Sequence, residues 1–320
     1  MSTILNSIDS VATGASGATG AADAADAPGG VTASGSVILG GRYALREPLG
    51  RGGAATVYRG VDLKLDREVA LKVFASDDHI GGDDERRERR IREIGLLARA
   101  NHPNLVTLFD AEWGASADPV SAGNGFIVME LVRGATLRRR LESSGPSAEL
   151  AAQLAVELGA ALAYLHADGI VHRDLKPENI LLATGVGPAV TTKLVDFGIA
   201  QLLGEERLTS DRSILGTAAY LAPEQVTGDG AIPASDVYAL GLVLLECLTG
   251  QRSFGGSDVE AAIARLTQDP ALPAGVEPRW GRLLAAMTAR EASARPTAAE
   301  VGEIAAALPS AVVPAAAASA

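Results

Sequence analysis

The feature that most constrains this chain is the stretch 170–182, which reads I-V-H-R-D-L-K-P-E-N-I-L-L. Two β-branched apolar residues begin it, three apolar residues end it, and the residues between them are mostly polar. This pattern predicts a loop between two short buried strands. The interior of the predicted loop offers a carboxylate at Asp174, an ammonium group at Lys176 and an amide at Asn179.

Phosphoryl transfer needs such a set: an acceptor for a hydroxyl proton, a cation beside developing negative charge and an oxygen ligand for Mg²⁺. The alternative interpretation is an ordinary polar loop with a capping aspartate. The order H-R-D-x-x-x-x-N resembles the catalytic loop of eukaryotic-like protein kinases. The resemblance implies that Asp174 orients the acceptor hydroxyl and takes its proton, that Lys176 stabilises the transferred group, and that Arg173 receives an activation-segment phosphate.

Length and composition limit the classes of protein to which the chain can belong. A chain of 320 residues is long for one core, so two lobes or two domains are expected. The net charge of −11 argues against a nucleic-acid-binding face, which would be basic. Cys247, the one cysteine, excludes an internal disulfide and is interpreted as core packing. We expect neither a secretory signal nor a membrane span in the alanine-rich stretch 304–320, which two prolines interrupt.

Low-complexity segments flank the part that is expected to fold. Residues 1–40 contain no lysine, arginine or aromatic residue. Such a segment cannot bury enough apolar surface to offset its chain entropy, so we expect a disordered tail, with partner binding as the alternative. Residues 308–320 are expected to form a second disordered tail, rich in Ala and Pro. The kinase-like domain between the tails spans 43–307, with an N-lobe at 43–131 and a C-lobe at 132–307.

A glycine-rich turn follows the first predicted strand of this domain. Gly50, Gly52 and Gly53 permit a tight turn whose N–H groups can approach phosphates. A plain hairpin explains the turn equally well, whereas a dinucleotide-binding βα turn is disfavoured because β-formers follow. The turn resembles the phosphate-covering loop of the kinases, except that Ala55 stands where that family has a third glycine. We expect Ala55 to alter loop mobility without abolishing activity.

The resemblance implies that ATP binds between the two lobes. Residues 126–132 resemble the strand that leads to the interlobe hinge, although a plain buried edge strand is equally compatible with them. Met129 would be the gatekeeper beside adenine, and the backbone of Glu130 and Val132 would bind its polar edge. The expected nucleotide-binding residues are Leu49, Gly50, Gly52, Gly53, Val57, Ala70, Lys72, Met129, Glu130 and Val132.

Lysine usage singles out residue 72. The chain places lysine only at positions 64, 72, 176 and 193 among its 28 basic residues, which favours a need for a compact ammonium group at 72 and 176. A snorkelling surface lysine is the alternative for Lys72. A helix is predicted over 83–100, and the resemblance implies that Glu93 in this helix forms an ion pair with Lys72.

The D-F-G sequence at 196–198 follows another predicted strand. The resemblance implies that Asp196 and Asn179 hold Mg²⁺, for which Mn²⁺ could substitute. The hydroxyl-rich loop that follows supplies candidate phosphorylation sites, with the first as the leading one: Thr209, Ser210 and Ser213. Thr217 resembles the threonine that packs against the catalytic loop, and together with Lys176 it points to serine and threonine acceptors.

Three further residues are expected to support the site. Asp236, near the start of a predicted buried helix, is either an N-terminal cap or, as the resemblance implies, the anchor of the catalytic-loop backbone. Glu224 and Arg295 resemble a buried ion pair of the family. A helix that begins at the cap Ser147 and ends at Gly169 is predicted to lead into the catalytic loop.

The signature segments occur in order across 43–307, so we predict an α+β, two-lobe protein kinase fold. The implied function is transfer of the ATP γ-phosphoryl group to Ser or Thr of proteins, with autophosphorylation of the activation loop. A pseudokinase or nucleotide-binding scaffold is the alternative, and Ala55 is its only support. The resemblance is greatest to actinobacterial members. Expected partners are protein substrates and a second copy bound through the N-lobes, in the cytoplasm or as the intracellular part of a membrane-anchored kinase.

Overall fold

The N-terminal lobe is built on one six-stranded antiparallel sheet. In the computed structural model, residues 37–52, 55–74, 94–95, 97–112, 125–184, 190–197 and 218–308 are described. The strands of this sheet are β1 (Ile38–Leu39), β2 (Tyr43–Arg51), β3 (Ala55–Asp62), β4 (Arg67–Phe74), β5 (Leu108–Glu112) and β6 (Phe126–Glu130). Their order across the sheet is β1-β2-β3-β4-β6-β5.

Strand β1 begins before the expected domain boundary. Gly40 and Gly41 adopt φ values of 56° and 62°, which lets the chain reverse and pair Ile38 and Leu39 with the start of β2. Leu39 is buried in the sheet. The expectation that the disordered tail extends to residue 40 is therefore wrong for these two residues, because their short apolar run was obscured by the glycines that make the turn.

Side chains of β4 point alternately into two hydrophobic cores, one on each face of the sheet. Val69 and Leu71 pack in a small cluster on one face of the sheet, whereas Ala70 and Phe74 belong to the large core that continues into the C-terminal lobe. Because successive side chains of a strand point to opposite faces, Lys72 lies on the face of Ala70 and Phe74. Lys72 is thus directed to the side on which the second lobe lies.

The C-terminal lobe is helical, with one small three-stranded sheet. That sheet has the order β7-β8-β9 and consists of β7 (Gly134–Thr136), β8 (Ile180–Thr184) and β9 (Val190–Leu194). The helices are α1 (Leu137–Ser144), α2 (Ala148–Ala167), α3 (Pro223–Thr227), α4 (Pro233–Thr249), α5 (Asp258–Thr267), α6 (Pro278–Met287) and α7 (Ala298–Ala307). In the described part of this lobe, short 3₁₀ turns cover Pro177–Asn179, Ala218–Tyr220 and Ala292–Ala294. The predicted α+β class with a β-rich first lobe and a helical second lobe is confirmed.

Helix α2 forms the centre of the second lobe. The Ser147 hydroxyl accepts a hydrogen bond from the N–H of Leu150 at 3.2 Å, and Gly169 follows the helix with a φ of +72°, so both predicted ends are confirmed. A Cβ on Gly159 would lie 2.9 Å from the Cα of Gly302, so this glycine lets α2 and α7 pack closely. Within the described residues α2 is the one helix long and apolar enough to cross a membrane. Its buried face instead packs against α4 and α7.

One predicted strand is not formed, and one predicted helix lies mostly outside the described residues. The segment before the polar loop is not a strand: Ile170 and Val171 are only partly buried and pair with no strand in the described chain. Their β-branched side chains favour extended backbone, but a strand also needs a neighbour, and only β8 finds one. The helix predicted over 83–100 lies mostly outside the described residues, among which Ile94, Gly95 and Leu97 are helical.

Candidate active site

Asp236, in the first turn of α4, holds the start of the polar loop. Its buried carboxylate accepts hydrogen bonds from the backbone N–H groups of His172 and Arg173, at 2.8 and 2.9 Å. Arg173 has a φ of +72°, a left-handed conformation that costs a non-glycine residue roughly 1 kcal/mol or more. Asp236 Oδ2 also lies 2.8 Å from Nε2 of His166 at the end of α2. The loop is therefore tied to both central helices.

The three polar groups singled out in the sequence are bonded to one another. Lys176 Nζ donates to the two carboxylate oxygens of Asp174 at 2.9 and 2.7 Å. Asn179 Nδ2 donates to the backbone oxygen of Asp174 at 2.7 Å and to its Oδ2 at 3.1 Å. These contacts fix the orientation of the Asp174 carboxylate and keep a cation beside it. The Asp174 side chain stays partly exposed, so a bound molecule could reach its carboxylate.

A second link connects the loop with the segment that follows β9. Nε2 of His172 lies 3.1 Å from the carbonyl oxygen of Val195, and its Nδ1 accepts a hydrogen bond from the N–H of Asp174 at 3.3 Å. Because a carbonyl can only accept, the ring proton lies on Nε2. The next residue, Asp196, forms an ion pair in which its Oδ2 lies 2.8 Å from Lys72 Nζ. Groups from the loop, from β4 and from the end of β9 thus converge.

Asp196 and Asn179 supply donor atoms that suit a divalent cation. Asp196 Oδ1 is buried and has no hydrogen-bond partner in the described chain, and Asn179 uses its Nδ2 for Asp174, which leaves its amide oxygen as the remaining polar atom. The N–H of Val195 donates to the backbone oxygen of Asn179 at 3.0 Å, so the two residues are close. Mg²⁺ and similar hard cations prefer such oxygens. Among the described residues, no group of three or more His, Cys, Asp or Glu could hold a metal ion, so the proposed ligands here are one carboxylate and one amide.

The strand register gathers four of the ten expected nucleotide-binding residues on one face of the sheet. Val57 lies opposite Lys72, and Ala70 lies opposite Met129, in neighbouring strands. Ala70 and Met129 are buried in the core that the lobes share, and Val57 packs against it. The other described members are Leu49, Gly50 and Gly52 at the end of β2, Glu130 at the end of β6 and Val132 just beyond it.

Glu224 and Arg295 form a buried pair below the loop. The Arg295 Nη1 and Nη2 atoms lie 2.7 and 2.9 Å from the two oxygens of Glu224, and the hydroxyl of Ser235 donates to the same carboxylate. Burial alone would raise the pKa of Glu224, but the hydrogen bonds from Arg295 and Ser235 outweigh it and lower that pKa. The adjacent Gln225 donates through Nε2 to the backbone oxygen of Arg173 at 3.1 Å. The pair therefore braces the segment that supports the loop.

Several residues predicted from the sequence lie outside the described chain. They are Gly53 in the glycine-rich turn, Glu93 in the predicted helix, Thr217 and the candidate phosphorylation sites Thr209, Ser210 and Ser213.

Two contacts near the candidate site were not predicted from the sequence. Lys193 Nζ lies 2.9 Å from Glu130 Oε2 and 3.3 Å from the backbone oxygen of Leu105, which ties β9 to the end of β6. The rarity of lysine in this chain was the signal that could have identified this residue. Arg138 joins α1 to the loop through Glu178, at 2.8 Å. These partners lie 40 residues apart in the chain and form no local motif.

Known proteins are similar to this chain over most of its length. The family model described as protein kinase domain matches residues 43–304. Serine/threonine-protein kinase PknL of Mycobacterium tuberculosis is 41% identical over 267 residues, which are 81% of this chain and 63% of PknL. PknB of Mycobacterium leprae is 40% identical over 242 residues, 73% of this chain and 37% of that protein. PknA of Mycobacterium tuberculosis is 38% identical over 238 residues, 74% and 53% respectively. This chain thus spans less than two thirds of the length of each of these three proteins. The expected likeness to actinobacterial kinases is confirmed.

Proposed function

Because the chain belongs to the protein kinase domain family, we propose that it transfers the γ-phosphoryl group of ATP to serine and threonine hydroxyls of proteins. The observation that carries the proposal is the bonded set Asp174, Lys176 and Asn179 beside the Lys72–Asp196 ion pair. The names of the relatives, all serine/threonine-protein kinases, support the choice of acceptor. They give no support to the alternative of a pseudokinase.

The proposed roles follow from the contacts of each group. Asp174 orients the acceptor hydroxyl and takes its proton, while Lys176, bonded to Asp174, neutralises charge on the transferred phosphoryl group. Asn179 is held by Asp174, so the acceptor side and the metal side of the reaction share one rigid turn. Positioning and charge stabilisation supply most of the catalysis in such a reaction.

Members of the family use ATP with a divalent metal ion. In our proposal Asn179 and Asp196 would hold Mg²⁺ or Mn²⁺, which would neutralise charge on the phosphates. The buried Oδ1 of Asp196, which has no hydrogen-bond partner among the described residues, supports this assignment. Lys72 binds the α- and β-phosphates, with Glu93 as its further partner. Adenine lies between the lobes beside Met129 and contacts the backbone of Glu130 and Val132.

Autophosphorylation is part of the proposal, with acceptors among Thr209, Ser210 and Ser213. Its support is Arg173, which is held in an unusual conformation next to Asp174. A phosphate bound by Arg173 would couple the phosphorylated segment to the loop that carries out the chemistry.

The test is the intact mass of purified protein after incubation with Mg-ATP, followed by peptide mapping, beside the Asp174→Asn variant. We expect added phosphate on Thr209 or its neighbours in the wild type and none in the variant. If neither gains mass, a sample treated first with phosphatase is offered a generic protein acceptor. Binding of ATP without transfer in both assays would contradict the proposal and favour the scaffold.

We also propose that two copies associate through their N-lobes in the cytoplasm, where ATP is present. The support is an exposed apolar group in and beside the β3–β4 turn, in which Leu63 and Leu65 are 51% and 56% exposed. Phe109, capped by Arg67, lies on the same lobe. Leu65→Asp should lower the mass measured by light scattering from dimer to monomer, whereas Leu272→Asp, on the other lobe, should not.

A further inference from the structure

Arg138 joins three separate elements below the candidate active site. From α1, its Nε lies 2.8 Å from Glu178 Oε1, its Nη1 lies 2.6 Å from Glu246 Oε1, and its Nη2 lies 2.6 Å from the hydroxyl of Tyr220. Glu178 belongs to the 3₁₀ turn that ends at Asn179, Glu246 to α4, and Tyr220 to the turn Ala218–Tyr220.

The charges in this cluster depend on Arg138. Glu246 is only 5% exposed, Arg138 is 18% exposed, and the Tyr220 hydroxyl also donates to Glu246. Burial works against the charged guanidinium, but its bonds to Glu178 and Glu246 outweigh this and raise the pKa of Arg138. Among the described residues, Arg138 is the cation that forms ion pairs with both Glu178 and Glu246. Without it, the buried carboxylate of Glu246 would lose its cation, which is strongly unfavourable, and the half-exposed carboxylate of Glu178 would lose its link to α1.

The geometry of the guanidinium is also required. Arginine presents its donors as a rigid planar fork, and each nitrogen of Arg138 serves a different partner. A lysine ammonium at the end of a flexible chain could replace the charge but not hold three partners at these relative positions. Arg138 therefore fixes the distance between the turn Pro177–Asn179 and the turn Ala218–Tyr220.

These two turns support different parts of the catalytic loop. Asn179 bonds to Asp174 and is a proposed metal ligand, whereas the turn Ala218–Tyr220 directly precedes the segment whose Gln225 supports Arg173. Displacements of roughly 1 Å at such sites can reduce rates a hundredfold.

We propose that Arg138 is a positioning residue that holds the turn Pro177–Asn179 of the catalytic loop in register with the segment 218–222, which leads into the helix that supports Arg173. The proposal rests on the proposed function. The hydrogen bonds of Arg138 go to neither Asp174 nor Lys176, and none of the residues expected to contact adenine lies in α1. Its loss should therefore lower kcat for phosphorylation of a protein acceptor and leave the affinity for nucleotide unchanged.

The experiment compares Arg138→Ala with wild type and with Arg139→Ala, the exposed neighbour on the same helix. We expect Arg138→Ala to reduce kcat roughly 10- to 100-fold, with the Kd for a fluorescent ATP analogue within twofold of wild type. Arg139→Ala should behave as wild type. Guanidinium chloride at low millimolar concentration should restore part of the activity of Arg138→Ala, whereas sodium chloride at the same ionic strength should not.

Two further variants separate positioning from simple loss of folding. Arg138→Leu with Glu246→Gln removes one cation and one anion, so it should fold better than Arg138→Leu alone while kcat stays low, because the guanidinium fork is still missing. Arg138→Lys should retain stability and lose kcat. Unchanged kcat in folded Arg138→Ala, or restoration of full kcat by Arg138→Lys, would overturn the proposal.

Failure of the proposed function would look different. If wild-type protein transfers no phosphate to any acceptor, the proposed function fails, and the role of Arg138 is read from amide hydrogen exchange. Faster exchange in both 172–182 and 218–222 of Arg138→Ala, with α2 unchanged, would still support the link between the turns. Unchanged exchange in those segments would reject it.

Discussion

Asp236 holds Arg173 in a left-handed backbone conformation from a position 63 residues further along the chain. The Asp236 carboxylate accepts one hydrogen bond from the N–H of His172 and one from the N–H of Arg173. Asp236 therefore holds the backbone of Arg173 through these bonds and not its side chain. The loop that bears Asp174 can therefore be rigid although it belongs to no helix or strand.

Asp236→Asn should destabilise the fold and reduce activity. The amide keeps one acceptor oxygen but presents an NH₂ group where a second acceptor is needed, so one buried N–H loses its partner at a cost of about 1–3 kcal/mol. Urea unfolding measures the loss of stability and an acceptor assay measures kcat. Asp229→Asn, at an exposed aspartate, is the control. Equal stability of the two variants would contradict the anchoring role.

Lys193→Met should weaken ATP binding without a matching loss of kcat. The ammonium group ties Glu130 to β9 and to Leu105, and methionine keeps the apolar stem while removing the charge. We expect the Kd for ATP to rise about 3- to 10-fold, or about 0.7–1.4 kcal/mol, which is less than the value of a whole charged hydrogen bond because Lys193 would act on the nucleotide only through Glu130. Titration calorimetry gives the affinity, and Lys64→Met, at an exposed lysine, provides the comparison. An unchanged Kd would show that Glu130 needs no such support.

The pair Glu224–Arg295 should show strong coupling in a double-mutant cycle. The Arg295 side chain is fully buried, so Glu224→Gln leaves a buried cation without its carboxylate and should cost about 3–5 kcal/mol. Arg295→Met should cost a similar amount. The double variant should lose much less than the sum of the two, as measured by urea unfolding. Additive losses would mean that the two side chains stabilise the fold independently.

Stability should fall in acid partly through Asp62. The hydrogen bond from Arg42 is the main cause that lowers the pKa of Asp62, and two backbone N–H groups act in the same direction. Burial acts against them, and the resulting pKa is about 2. An unfolded aspartate has a pKa of about 3.9, so this contribution is complete above about pH 4 and is lost as the pH falls through about 2.

The measurement is the free energy of unfolding in urea between pH 7 and pH 2.5, for wild type and Asp62→Asn. The variant should be less stable at pH 7, and its stability should decline less steeply below pH 4. Asp66→Asn, an exposed aspartate in the same turn, should follow the wild-type curve. Parallel curves for wild type and Asp62→Asn would refute the assignment.

Features whose residues lie close together along the chain could be predicted from the sequence. The polar loop could be recognised because its groups are chemically distinct and lie within one short stretch. Lys72 could be placed on the correct face because alternation in a strand is a local property. The role expected for Asp236 came from the resemblance alone, since an aspartate near a helix start is equally explained as a cap.

The remaining features depend on tertiary packing. Glu246 lies 108 residues from Arg138, and nothing in the sequence of α1 marks Arg138 among the three consecutive arginines at 138–140. The strand predicted at Ile170 and Val171 is absent from the described chain because it also depends on tertiary packing. The local β preference of these residues is present, but no neighbouring strand pairs with them.

Strand β1 has a practical consequence for work with shortened forms of the protein. The match to the family begins at residue 43, and a fragment cut there would lack Ile38 and Leu39. The backbone N–H and C=O groups of the first residues of β2 would then lie unpaired at the edge of the sheet. Open strand edges are templates for pairing between molecules, so such a fragment should be prone to aggregate even if its catalytic groups are intact.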